Sequence, residues 1–241
     1  MIKKNIIWFS ELDPEYLGKS ALLNKLQKDA KLEVKNIRFC FEPERRPKTI
    51  KSIRSKKEER SSIKTSLTYE APPEMLFRES YYADGVIAVK SLFFETIFHN
   101  HLKDIHCPIL TFSEESPVPN HVLFVITNHP DSVISIKQFC CLFENLCKNV
   151  KITLLILDDG EGLDKPDEKL LVNYIRKWNK NIGVYKEQDW FTPKLLENLE
   201  FDDKTLTVIS RNLVVNTKKG AIPDLILNHE KSILFIGYTY L

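Results

Sequence analysis

No apolar run in this chain reaches the roughly 18 residues needed to cross a bilayer as a helix, so a helical membrane span is excluded. The amino-terminal stretch Ile6-Ile7-Trp8-Phe9 is too short for the core of a secretory leader, and carboxylates follow at once at Glu11 and Asp13. The five cysteines, Cys40, Cys107, Cys140, Cys141 and Cys147, are odd in number and lack metal-site spacing, so neither a disulfide framework nor a zinc site is expected. A reduced, cytoplasmic setting is the expectation. Charge of one sign is not in excess: 35 basic and 33 acidic residues leave a net +2. That balance excludes a global pull toward nucleic acid or membrane, and any electrostatic partner must be met by a local patch. Glycine is scarce, at 7 residues, and no Walker loop, nucleophile elbow or paired-carboxylate motif is present.

What is present is a core. The apolar fraction of 43% is ample for one, and 241 residues allow one large domain or two small ones. Two segments, Asn5 to Phe9 and His121 to Ile126, are near-continuous apolar runs of the kind found in parallel strands covered on both faces. Each is followed by helix signals. After the first, Asp13-Pro14-Glu15 offers a cap, a proline at the first helical position and an early carboxylate. After the second, Val133, Ile136, Cys140, Phe143 and Cys147 recur at helical spacing. The order then continues with strands at Lys151 to Leu157, Ile182 to Tyr185, Thr205 to Ile209 and Ser232 to Ile236. Helices are expected near Asp167 to Lys180, Thr192 to Leu199 and Ile222 to Leu227. Alternation of this kind is the pattern of a parallel sheet flanked by helices.

The first half closes in the same way. Asp84 to Val89 reads as a strand, Phe93 to His101 as a helix and Pro108 to Phe112 as a strand, offset by about 120 residues from their counterparts. We read this as an internal duplication. The polar, proline-bearing stretch Ser113 to Pro119 marks the boundary, giving domains at 1–116 and 117–241. Arg45 to Ser66 is crowded with basic residues and serine, so a shortened or irregular sheet is expected in the first half.

The opening of the second half, HVLFVITNHPDSVISIKQFCCLF, resembles that of a universal stress protein domain. RESYYADGVIAV, Arg78 to Val89, resembles the approach to that family's fourth strand. The resemblance implies an α/β fold of two tandem Rossmann-like domains, each a mainly parallel open sheet flanked by helices, with a tendency to pair. In some members it also implies ATP at the carboxyl ends of the strands. The family's ATP-binding members end strand one in an acid and carry a glycine-rich loop after strand four. Glycines there let backbone N–H groups approach the phosphates closely. In this chain the acidic position falls on Thr127, followed by Asn128 and His129. Ser210 to Gly220 holds one glycine where three are expected, and Lys90 to His106 holds none. ATP binding is therefore not expected, and no cofactor residue is carried over.

Other clusters have plainer readings. His99, His101 and His106, with Cys107, suggest a metal, but His99 and His101 point to different sides of a helix. His129, Asp131 and Ser132 have the composition of a hydrolytic triad but share one loop, where Asp131 or Ser132 capping the next helix is simpler. The acidic stretch Asp158 to Glu168 lacks the alternating spacing of a calcium loop. Cys140 and Cys147 fit core packing. The strongest local charge lies between Arg45 and Lys64, where Arg45, Arg46, Lys51, Arg54, Lys56 and Lys57 are the candidate partner-binding residues. No aromatic interleaves them, which disfavours nucleic acid.

Together these readings lead to the expectation of a non-enzymatic, cytoplasmic stress-response protein, without catalytic or metal residues. It would act by binding a protein or small-molecule partner, as a homodimer, and not at a membrane. A first alternative is an adenine-nucleotide sensor or nucleotide-dependent enzyme with a reworked pocket built from Thr127, Ser210, Arg211, Lys218 and Lys219. A second is RNA or anionic-partner binding through the basic segment.

Overall fold

In the computed structural model the described residues are 4–10, 21–30, 32–39, 69–71, 73–93, 101–113, 115–127, 129–157, 165–187, 204–216 and 233–238. The chain divides into two compact units, Met1–Glu114 and Glu115–Leu241. The first contains β1 (Lys4–Ser10), α1 (Ala21–Ala30), β2 (Leu32–Phe39), β3 (Tyr69–Ala71), α2 (Pro73–Ser80), β4 (Gly85–Val89), α3 (Lys90–Phe93), a 3-10 turn (Leu102–Asp104) and β5 (Ile109–Phe112). Its strands pair in parallel in the order β3-β2-β1-β4-β5. Among the described residues this sheet has five strands, of which β3 has only three residues; the segment Arg45 to Ser66, where an irregular sheet was expected, lies outside the described residues.

The second unit contains β6 (His121–Ile126), α4 (Pro130–Leu142), α5 (Glu144–Asn149), β7 (Lys151–Leu157), α6 (Lys165–Arg176), β8 (Ile182–Glu187), β9 (Thr205–Ser210), α7 (Arg211–Asn216) and β10 (Ile233–Gly237). Its order is β10-β9-β6-β7-β8, again all parallel. Numbered within each unit, both sheets run 3-2-1-4-5. Strand order reverses beside the first strand, which creates a crevice at the carboxyl ends of the first and fourth strands.

Burial follows the sequence pattern. Every residue of β6 and β9 is buried, as expected for strands covered on both faces. Each fully buried Val, Leu, Ile or Phe contributes roughly 2 kcal/mol before chain entropy is counted. Phe139 anchors the contact between α4 and the sheet. Its ring lies 5.8 Å from Phe124, 5.2 Å from Phe143 and 5.1 Å from Phe235, with edge contacts to Phe124 and Phe235. At the opposite end of the strands His121 is buried without cost. Its Nδ1 lies 3.2 Å from Thr205 Oγ1 and its Nε2 2.9 Å from Thr153 Oγ1, tying three strands together.

In the first unit the Ala-Asp pair before β4 has a structural role. The Asp84 carboxylate accepts from the Asn5 amide at 2.7 Å, and the Asp84 amide donates to the Asn5 carbonyl at 2.8 Å. This clasp sets the start of β4 against β1.

Several expectations shift. Asp84 precedes β4 and does not belong to it. A short helix not expected from the sequence occupies Lys90–Phe93, and the helix expected from Phe93 to His101 falls mostly on residues 94–100, outside the described set. The apolar stripe after β6 is divided between α4 and α5, because the chain leaves helical geometry at Phe143. The helix expected from Asp167 to Lys180 runs from Lys165 to Arg176. The Asp13 cap and the helices at 192–199 and 222–227 lie outside the described residues.

Candidate functional site

The switch-point crevice of the second unit is framed by the ends of β6, β9 and β10 and by the first turn of α4. Thr127 follows β6 directly and is buried. Its amide donates to Ser132 Oγ at 3.2 Å, and the two hydroxyls share a hydrogen bond at 3.0 Å. The His129 amide donates to Thr127 Oγ1 at 3.3 Å. Pro130 takes the first helical position, so the capping position falls on His129. Its Nδ1 accepts from the Asp131 amide at 3.3 Å, with Asp131 Oδ2 also at 3.3 Å. This corrects the expectation that Asp131 or Ser132 caps α4. Ser132 Oγ faces Thr127, so histidine, aspartate and serine are brought into one turn but not into a nucleophile–base relay.

β9 continues into α7 without an intervening loop. Ser210 Oγ accepts from the Leu213 amide at 3.3 Å and so caps this six-residue helix. Arg211, its first residue, is only 1% exposed, and its guanidinium carbon lies 4.7 Å from the centre of the Tyr238 ring. Such a stack stabilises a desolvated cation. Tyr238 is itself held from α4: Gln138 donates to the Tyr238 carbonyl at 2.7 Å and accepts from the Tyr238 amide at 2.8 Å. Gly237 lets β10 approach that helix, since a Cβ there would lie 2.0 Å from Ser135 Oγ and 2.6 Å from Ser135 Cα.

The first unit repeats the arrangement at β4. Strand β4 passes directly into α3, whose first residue, Lys90, is also buried. Each unit thus places a buried cation at the carboxyl end of its fourth strand. The sequence carries a faint signal for this. Lys90-Ser-Leu-Phe and Arg211-Asn-Leu-Val occupy matching positions directly after a buried strand.

Of the polar set considered for a reworked pocket, the structure gathers Thr127, Ser210 and Arg211 at the strand ends. Lys218 and Lys219 lie outside the described residues, as do Asn128, Asp158 to Asp164 and the basic candidates Arg45, Arg46, Lys51, Arg54, Lys56 and Lys57. His101 pairs with Asp104, Nδ1 to Oδ2 at 3.0 Å, and His106 stacks on Tyr81 at 3.6 Å, while His99 falls outside the described set. Among the described residues no three His, Cys, Asp or Glu side chains gather as metal ligands, and no helix is long and apolar enough to cross a membrane. Cys140 and Cys147 are buried with sulfurs 3.8 Å apart, whereas Cys141 is exposed. The hydrogen bond to Cys147, together with burial, pushes the Cys140 thiol far above its ordinary range.

No family model matches the sequence, and no curated protein matches it. The similarity lies in three dimensions. The chain is similar to a universal stress protein from Archaeoglobus fulgidus, with a TM-score of 0.55 at 8% identity, over 97% of this chain and 96% of that one. A functionally unknown protein from Pseudomonas aeruginosa PAO1 aligns over 97% of this chain and 92% of its own, at a TM-score of 0.47 and 10% identity. The first likeness spans both units.

Proposed function

We propose that this chain, which has the α/β fold of the universal stress proteins, is a regulatory member of that kind, acting in the cytoplasm by binding a partner and not by gripping the triphosphate of ATP. One observation carries the reading: the fourth strand of the second unit hands over directly to a capped helix. A phosphate cradle needs several backbone amides left free to point at oxygens. At these strand ends the amides of Thr127, His129, Asp131, Ser132 and Leu213 are each taken by a neighbour within the same unit. Among the described residues the one cation at the end of β9, Arg211, is buried against Tyr238.

The test is a thermal melt across a nucleotide panel, with absorbance at 260 nm read on the supernatant of freshly purified, denatured protein. A site with a dissociation constant of about 10 μM would stabilise the fold by about 2.7 kcal/mol in 1 mM Mg-ATP, a shift of several degrees. The reading predicts no nucleotide-dependent shift and no co-purified nucleotide. Either signal instead favours a sensor using Thr127, Ser210 and Arg211.

A further inference from the structure

We propose that the outer edge of the second sheet, strand β8 with the groove between it and α6, receives an extended acidic segment of a partner protein as an added strand. This surface is separated from β6 by β7, so the nucleotide experiment does not bear on it. Among the described residues β8 pairs only with β7, and Val184 and Tyr185 are 40% and 50% exposed. The Asn181 carbonyl accepts from the Ile152 amide of β7 at 3.3 Å. Strand alternation then turns the backbone groups of Gly183 and Tyr185 toward β7 and those of Ile182, Val184 and Lys186 outward.

The outward face adjoins a groove of about 450 Å³ with Val172 and Val184 among its lining residues. Lys169, Val172 and Arg176 lie three and seven residues apart on one face of α6, above that floor. Glu168 pairs with Lys186, while neither Lys169 nor Arg176 forms an ion pair with a described residue. The groove therefore carries two cations that no described residue pairs, beside an apolar floor and a row of outward backbone donors and acceptors. Lysines on an edge strand often serve only to repel other strands. Here Lys169 and Arg176 stand on the helix beside the edge, where they meet the side chains of an incoming strand and leave its backbone path open. Strand addition supplies the hydrogen bonds, and carboxylates at alternate positions of the guest supply the charge match.

The experiment is fluorescence anisotropy on the full chain, using a fluorescein-labelled ten-residue peptide of alternating valine and glutamate, with a valine–lysine peptide as comparison. The valine–glutamate peptide is expected to bind saturably and to weaken as salt rises. Lys169→Glu with Arg176→Glu should weaken it at least tenfold. Val184→Pro should do the same, because it removes an outward N–H that β7 does not use. N-methylating alternate amides of the peptide removes the same hydrogen bonds from the other side and keeps the test intact if the proline variant fails to fold. Equal binding of the valine–lysine peptide would overturn the proposal, as would affinity indifferent to both the charge reversal and the N-methylation. A dimer in sedimentation that Val184→Pro dissolves would assign the edge to a second copy and overturn it too.

Discussion

Replacing Gly237 by alanine puts a methyl group where α4 already stands. The new Cβ would lie 2.0 Å from Ser135 Oγ, 2.3 Å from its Cβ and 2.6 Å from its Cα. The last of these is backbone, so no rotamer change relieves it, and either β10 or α4 has to move. Overpacking of this kind costs about 1–3 kcal/mol, and the backbone overlap places Gly237→Ala near the top of that range. For a unit of this size the loss corresponds to a melting shift of roughly 10 °C. Urea unfolding followed by tryptophan fluorescence reports it well, since two of the three tryptophans, Trp178 and Trp190, lie in the second unit. Adding Ser135→Gly removes the Oγ and Cβ overlaps but leaves the Cα, so rescue should be partial. A cost below about 0.5 kcal/mol would refute the argument that β10 and α4 meet at van der Waals limits.

Gln138→Leu strips both hydrogen bonds from the Tyr238 backbone and should cost about 1–3 kcal/mol, measured by the same unfolding curves. Thr207→Val should stabilise by about 1 kcal/mol, because Thr207 Oγ1 is buried without a hydrogen-bond partner among the described residues; a loss of stability would count against it. In the native protein iodoacetamide should modify Cys141 quickly and Cys140 and Cys147 only on unfolding, read by mass spectrometry of peptides. The raised Cys140 thiol also fixes a sign. Its contribution is complete below the ordinary thiol value of 9.0. As pH rises above that value the unfolded chain gives up a proton that the fold retains, so stability should fall toward alkaline pH, by up to about 1.4 kcal/mol per pH unit.

How far the sequence revealed this molecule depended on the range of the interaction. The unbroken apolar runs at β6 and β7 announced buried parallel strands, because burial on both faces removes alternation. β2 and β3 were not legible: Leu32–Phe39 mixes Glu, Lys, Asn and Arg into its run, and β3 has only three residues. The break at Phe143 was hidden because three- and four-residue spacing passes straight through it. His129 as a cap was hidden because serine, aspartate and asparagine are the usual reading of that position. At the candidate site the missing glycines could be counted. The burial of Arg211 could not, because it depends on Tyr238, which is held in turn by Gln138, 100 residues away in the chain. Arginine is normally expected at the surface, and only the tertiary contact reverses that expectation.

Isothermal titration of the full chain with Mg-ATP tests most directly whether the strand ends are closed to a triphosphate. The account predicts no heat beyond dilution up to millimolar nucleotide. A saturable isotherm with a micromolar dissociation constant would contradict it.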